Sequence, residues 1–180
     1  MNIETNRLIL REISWDDLED IHRLNSLPEV SEFNITGIPK DIEETKESIR
    51  PYIEGQTIIP RPFYNWKIES KDKMEFIGLA NIKFSLDRLR LGEISFKLFP
   101  DHWGKGYATE VLKKLITTGF DYFKLHKIEA GTIIENSKSI RVLEKSGMIR
   151  EGIRRKIVPI RGEWKDGYLY AIVEDDIRDY

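Results

Sequence analysis

The chain contains no cysteine among its 180 residues, which excludes disulfides, thiolate metal sites and any mechanism that carries a group on a protein thiol. It also lacks an apolar run near the ~18 residues that a membrane helix requires, and no basic segment followed by an apolar one opens it. A soluble, cytoplasmic protein with no membrane partner is expected. Neither sign of charge prevails: 29 lysines and arginines face 31 aspartates and glutamates, so a formal net charge of -2 leaves no overall field to collect nucleic acid. The only histidines, His22, His102 and His126, are scattered without metal-ligand spacing, and no metal is expected. No serine occupies a nucleophile elbow, and no repeat, low-complexity tract or linker divides the chain. Any acyl chemistry must therefore be direct or run through oxygen.

What is present is enough apolar material, 40% of residues, for one core, and a patterned mixture of strands and helices. "NRLILREI" (6–13) alternates loosely and predicts an edge strand; "SWDDLEDIHRL" predicts a helix capped by Ser14, with Asp16 and Asp17 facing the positive end of its dipole. A loop-rich stretch, 27–41, precedes a second helix after Asp41. "FYNWKIES" (63–70) and "EFIGLANIKFS" (75–85) read as a hairpin, with Phe63, Tyr64 and Trp66 as sheet core. In "LGEISFKLFP" (91–100), Ile94, Phe96 and Leu98 share one face and Glu93, Ser95 and Lys97 the other. An amphipathic helix through Val111, Leu112, Leu115, Ile116 and Phe120 follows, then a strand at 127–134, a short helix at 137–147 and two extended runs around 153–158 and 168–173.

Between strand 91–98 and the amphipathic helix lies "HWGKGYATE" (102–110). Glycines at a helix start let a backbone come close to an anion, because the unpaired N–H groups of the first turn point outward with the dipole behind them. Gly104 and Gly106 thus form a candidate diphosphate cradle, with Lys105 as an added charge; a tight turn alone is the bland alternative. The spacing is neither that of a Walker loop nor that of a dinucleotide fingerprint.

"WGKGYATEVLKKLITTGF", followed about 30 residues later by "NSKSIRVLEKSGM", resembles the acetyl-CoA-binding core of the GNAT N-acetyltransferase superfamily. The opening "TNRLILREISWDDLEDIHRLNSLPEV" and the strand "GEISFKL" are similar to the branch of the ribosomal-protein N-terminal alanine acetyltransferases, RimJ and RimL. The resemblance runs over nearly the whole chain and implies one N-acetyltransferase domain, residues 5–176. Its fold would be α/β, with a strongly bent, mixed central sheet, flanking helices and acetyl-CoA between splayed fourth and fifth strands, here "GEISFKLF" and "KIEAGTII". Carried over residue by residue, it places the cofactor against Trp103, Gly104, Lys105, Gly106, Tyr107, Ala108 and Thr109, with Trp103 departing from the family's Gln or Arg. Phe96 and Leu98 would offer main-chain groups to the pantetheine arm. Asn136 would hydrogen-bond that arm and the Ser139 hydroxyl would assist the leaving thiolate, or the two are helix caps. Glu93 would accept a proton through water, or is a solvated strand residue. Glu151, Glu163 and Asp166 have no better claim.

The implied reaction moves an acetyl group from acetyl-CoA to a primary amine in a ternary complex. An α-amine of pKa about 7.8 is neutral roughly one time in seven at pH 7, a lysine amine of about 10.4 only about one time in a few thousand. An N-terminal acceptor therefore asks less of the base, and the branch resemblance implies a protein or peptide N-terminus, ribosomal or other, as the acceptor. A small amine such as a polyamine, amino acid or aminoglycoside is the alternative, and a non-catalytic CoA-sensing module the third. Relatives of this kind are commonly dimers, so a homodimer is also an expectation.

Overall fold

The computed structural model of the chain describes residues 1–85 and 87–180. In chain order the strands are β1 (Ile3–Glu4), β2 (Leu8–Glu12), β3 (Phe63–Ser70), β4 (Phe76–Phe84), β5 (Leu91–Leu98), β6 (Lys127–Ile133), β7 (Ile149–Ile160) and β8 (Glu163–Val173). The helices are α1 (Leu18–Asn25), α2 (Pro28–Ser31), α3 (Ile42–Glu54), α4 (Tyr107–Asp121) and α5 (Ser137–Lys145). Among the described residues the eight strands form one sheet in the order β1-β2-β3-β4-β5-β6-β8-β7, and only β5 and β6 are parallel neighbours.

The period-two pattern of β5 and the helical spacing of α4 face each other across one side of this sheet. Ile94 and Leu98 share a core with Val111, Leu112, Leu115 and Ile116, all at most 4% exposed. Each such side chain contributes about 1.5–3 kcal/mol by leaving water. On the other side, Ile21 and Leu24 of α1 and Ile49 of α3 pack with Phe76 and Ile13. Trp66 is fully buried and stacks on Tyr64 at 5.5 Å, as expected of sheet core. The 63–70 and 75–85 runs form the expected antiparallel hairpin, β3–β4.

One expectation needs correction. β2 is not the edge strand, because Ile3 and Glu4 pair outside it with Leu10 and Ile9. A two-residue strand is too short for alternation to reveal. Asp17 lies in the first turn, as its position indicated, and is 2% exposed: Arg11 Nη2 lies 2.8 Å and Lys67 Nζ 3.1 Å from its Oδ1, and the Ser14 N–H donates to Oδ2 at 2.8 Å. Burial opposes its ionisation, but the Arg11, Ser14 and Lys67 hydrogen bonds outweigh burial and hold the carboxyl down to about 2. This cluster ties β2 and β3 to the start of α1.

Replacing Asp17 by Ala leaves Arg11 and Lys67 short of a buried partner and should cost about 3 kcal/mol in urea denaturation at pH 7. Because the folded carboxyl titrates below its ordinary 3.8, its stabilisation is complete above that value and disappears as pH falls through about 2. The gap between wild type and Asp17→Ala should therefore close over that window; a gap independent of pH would remove the ionised Asp17 from the account.

Candidate active site

The β5–β6 ladder holds three residue pairs, Leu91 with Lys127, Gly92 with Ile128 and Glu93 with Glu129, and then stops. Beyond it the two strands line opposite walls of a cleft of about 1300 Å³. That exceeds the ~300–1,000 Å³ of a pocket for one small ligand. Phe96, Leu98, Trp103, Gly104, Gly106, Tyr107, Ala108 and Thr109 stand on the β5–α4 wall, and Gly131, Asn136 and Ser139 on the β6–α5 wall. Glu93 lies on the cleft as well.

The glycines of the cradle have a backbone reason. Gly104 and Gly106 adopt φ +74° and +81°, a left-handed region that costs a side-chain-bearing residue about 1–2 kcal/mol. Gly106 is the N-cap of α4, so the N–H groups of the first helical turn open toward the cleft without intrahelical partners. A Cβ on Gly104 would meet nothing within 4 Å. Its absence keeps the loop's face clear, as a group the size of a phosphate requires.

Residues 98 to 105 positions earlier hold this loop in place. Arg7 Nη1 donates to the Lys105 carbonyl at 3.0 Å and its Nε to Glu110 Oε2 at 2.7 Å. The Arg7 N–H and the Thr5 hydroxyl donate to Glu110 Oε1 at 2.9 and 2.6 Å, and the guanidinium covers the Tyr107 ring at 4.5 Å. Burial raises the Glu110 carboxyl, but the hydrogen bonds from Thr5 and Arg7 hold it below its ordinary value. Neither Arg7 nor Thr5 was singled out by the sequence.

Lys105 is exposed and not among the residues lining the cleft, and its carbonyl is turned to Arg7. Among the cations that do line the cleft are three of α5, Lys138, Arg141 and Lys145, spaced i, i+3 and i+7. Lys138 Nζ sits 4.0 Å over the Trp103 ring, and the Trp103 indole N–H donates to the Leu98 carbonyl at 2.9 Å. Trp103 thus joins the end of β5 to the cradle and draws a cation across from the other wall. That bond also engages a lone pair of Leu98, one of the main-chain groups assigned to a pantetheine arm.

Asn136 is the N-cap of α5: its Oδ1 accepts from the Ser139 N–H at 3.1 Å. The capping role is real, and it leaves the Asn136 Nδ2 and the Ser139 hydroxyl, on two residues that line the cleft, without a partner among the described residues. Glu93 is exposed and has no hydrogen-bond or ion-pair partner among the described residues. The other carboxylates weighed for its role are engaged. Glu151 pairs with Lys127 at 2.7 Å, Glu163 with Lys165 at 2.6 Å, and Asp166 accepts from the Lys156 N–H at 2.7 Å. Opposite Glu93 in register is Lys83, and four residues along the strand is Lys97, whose Nζ donates to Asn25 Oδ1 with no carboxylate partner among the described residues. Loss of hydration pushes Lys97 down to about 8. His102 is buried near Glu75 at 3.6 Å, His22 bonds the Thr45 hydroxyl and His126 the Glu174 carboxylate. Among the described residues no group of three metal-binding side chains is assembled, and no helix is long and apolar enough to cross a membrane.

A glycine loop at a helix start, set beside two parting parallel strands, is the arrangement that the sequence resemblance implies for an enzyme binding an acyl-CoA. The chain belongs to the acetyltransferase (GNAT) domain family, whose model matches residues 7–149. It is an acetyl-CoA-dependent N-acetyltransferase with the mixed α/β fold of that family. The N-acetyltransferase YoaA of Bacillus subtilis is 32% identical over 176 residues, 96% of either chain. A ribosomal-protein-alanine acetyltransferase from Vibrio fischeri superposes with a TM-score of 0.82 at 22% identity, covering 98% of both chains. The spermidine N-acetyltransferase of Vibrio cholerae, crystallised with CoA and spermine, reaches 0.80 at 24% identity over 93% of this chain and 95% of its own.

Gly106→Val places a β-branched residue at φ +81° and should abolish acetyl-CoA binding in calorimetry; unchanged affinity would remove the cradle assignment. Arg7→Ala should raise the KM for acetyl-CoA roughly tenfold, about 1.4 kcal/mol, with less effect on kcat. A fall in kcat alone would show that the clamp does not shape cofactor binding.

Proposed function

We propose that the enzyme acetylates the α-amine of a protein or peptide N-terminus by direct attack in a ternary complex, residues 5–176 working as one catalytic domain. The observation that carries this choice is the charge on the acceptor face of β4 and β5. Glu93 stands there opposite Lys83 in register, and Lys97 lies four residues along the same strand. A polyamine would bring several positive charges against those ammonium groups, whereas a peptide brings one amine and a train of carbonyl acceptors for them. Room for a second substrate beside the cofactor is consistent with a cleft of about 1300 Å³.

When bound, acetyl-CoA supplies an activated acetyl thioester. The residues that would hold it are the cradle, residues 103–109, the main chain of Phe96 and Leu98, and Asn136 through its free Nδ2. Glu93 takes the proton of the incoming ammonium through water, which suits its exposed, unpaired carboxylate. Ser139 Oγ offers a proton toward a departing thiolate, a modest task for a leaving group of pKa about 8.5. The polyamine reading draws support from Glu29 and Glu32, which also line the cleft, and from the substrate of the Vibrio cholerae neighbour.

Release of free CoA with three acceptor pools decides between them: peptides with free N-termini, N-blocked peptides containing lysine, and small polyamines or aminoglycosides. Turnover confined to the first is expected; turnover only in the third would replace this reading. Glu93→Gln should lower kcat roughly 10²-fold and move the rising limb of the pH profile upward, because only amines already neutral then react. An unaltered profile would return Glu93 to the solvated surface.

A further inference from the structure

β7 closes the sheet as an edge strand, and residues 149–162, "IREGIRRKIVPIRG", hold five cations against one carboxylate in a chain whose net charge is -2. Edge strands are often blunted by charge or proline, and Pro159 fits that purpose. Blunting needs no particular sign, however, and it does not explain two further features.

The first is a built bulge. Arg154 pairs with Gly167 and Val158 with Lys165, so Arg155, Lys156 and Ile157 face the single residue Asp166. Asp166 Oδ1 fastens the bulge by accepting the Lys156 N–H at 2.7 Å. Gly167 leaves the space for Ile157: a Cβ there would stand 3.0 Å from Ile157 Cγ2 and 3.1 Å from the Thr132 carbonyl. Bulges of this kind re-aim side chains beside active sites. Here Arg154, Ile157 and Val158 line the cleft, while Arg155 and Lys156 lie exposed at its rim.

The second feature is what surrounds the rim. Ile153 and Trp164 are 59% and 61% exposed on the same hairpin. Arg155, Lys156 and Arg161 have no ion pair among the described residues. The neighbouring carboxylates are already used, Glu151 by Lys127 and Glu163 by Lys165.

We infer that the β7–β8 hairpin is a basic docking surface for the acceptor, receiving an acidic segment of the polypeptide that follows the amine being acetylated. The inference rests on the peptide reading of the acceptor. Charge complementarity selects the acidic chain, continuity of the bulge with the cleft places it just beyond the acceptor's first residues, and Ile153 and Trp164 supply apolar contacts between the charges.

The test uses the full chain and three peptides with the same first two residues, followed by four glutamates, four glutamines or four lysines. The acidic peptide should show the highest kcat/KM at low salt, by tenfold or more, and the preference should shrink as salt rises. Arg155→Glu with Lys156→Glu should erase it and leave turnover of a bare dipeptide unchanged. The milder pair Arg155→Gln with Lys156→Gln should reduce it part way, with acetyl-CoA binding reporting an intact fold. Binding of a fluorescent, N-acetylated acidic peptide reads the surface without turnover, so that a failure of the peptide reading itself, seen as silence toward every N-terminus, is told apart from a failure of docking. Equal kcat/KM for the three peptides, or an acidic preference that survives charge reversal, would overturn the inference. So would tighter binding of polyuridylate than of the acidic peptide at the same residues, which would make the hairpin a nucleic-acid surface.

Discussion

The constraint on which the rest of the molecule depends is the early end of the β5–β6 ladder. Parallel neighbours in a sheet normally continue to pair, since each buried backbone group without a partner costs about 1–3 kcal/mol. Here pairing stops after Glu93 and Glu129, and the strands continue as walls of an open cleft where water or a ligand meets their backbone. The split survives because each wall is anchored elsewhere. β5 is paired with β4 from Gly92 to Leu98, and β6 with β8 from Lys127 to Ile133. The sheet thus tolerates a gap at its centre without losing either half.

Each wall then carries its own helix start. Trp103 joins the end of β5 to the cradle, Arg7 and Glu110 hold the cradle from behind, and Asn136 caps α5 on the far side. The clamp is also why an N-terminal strand of two residues matters. β1 pairs with β2 on either side of the turn that contains Thr5 and Arg7, the two residues that grip Glu110. Sheet pairing at one edge therefore positions a loop next to the central gap.

How much of this was legible in the sequence follows from the range of each signal. The period-two run of β5, the helical spacing of α4, the paired glycines and the cap at Asn136 are local, and the structure places each of them where its pattern pointed. The splayed strands follow too, although β1 makes them fifth and sixth instead of fourth and fifth. What stayed hidden depends on distant partners. Arg7 meets Glu110 across 103 residues, and Lys97 is desolvated beneath Asn25, 72 residues away. The direction of the Lys105 side chain is hidden too, because composition cannot say which way a loop side chain turns once its carbonyl is held. Asp17 stands in the first turn as its position indicated, but its burial beside Arg11 and Lys67, which changes what its charge does, has no local pattern.

The exposed position of Lys105 has a physical logic. An anion bound at the cradle faces the N-terminus of α4, a helix of 15 residues, and the Lys138 contact with Trp103 brings the first turn of α5 to the same end of the cleft. Two helix starts then present the positive ends of their dipoles, each equivalent to roughly half a unit charge. A mobile lysine in the loop would add charge at the cost of freezing a long side chain, about 2 kcal/mol of rotamer entropy when fully ordered. Lys138 already has a resting place over the indole ring, so moving it toward a bound phosphate exchanges one ordered position for another. Trp103, which stands where the sequence resemblance implies Gln or Arg, thus keeps a cation of α5 close to the proposed cradle from across the cleft.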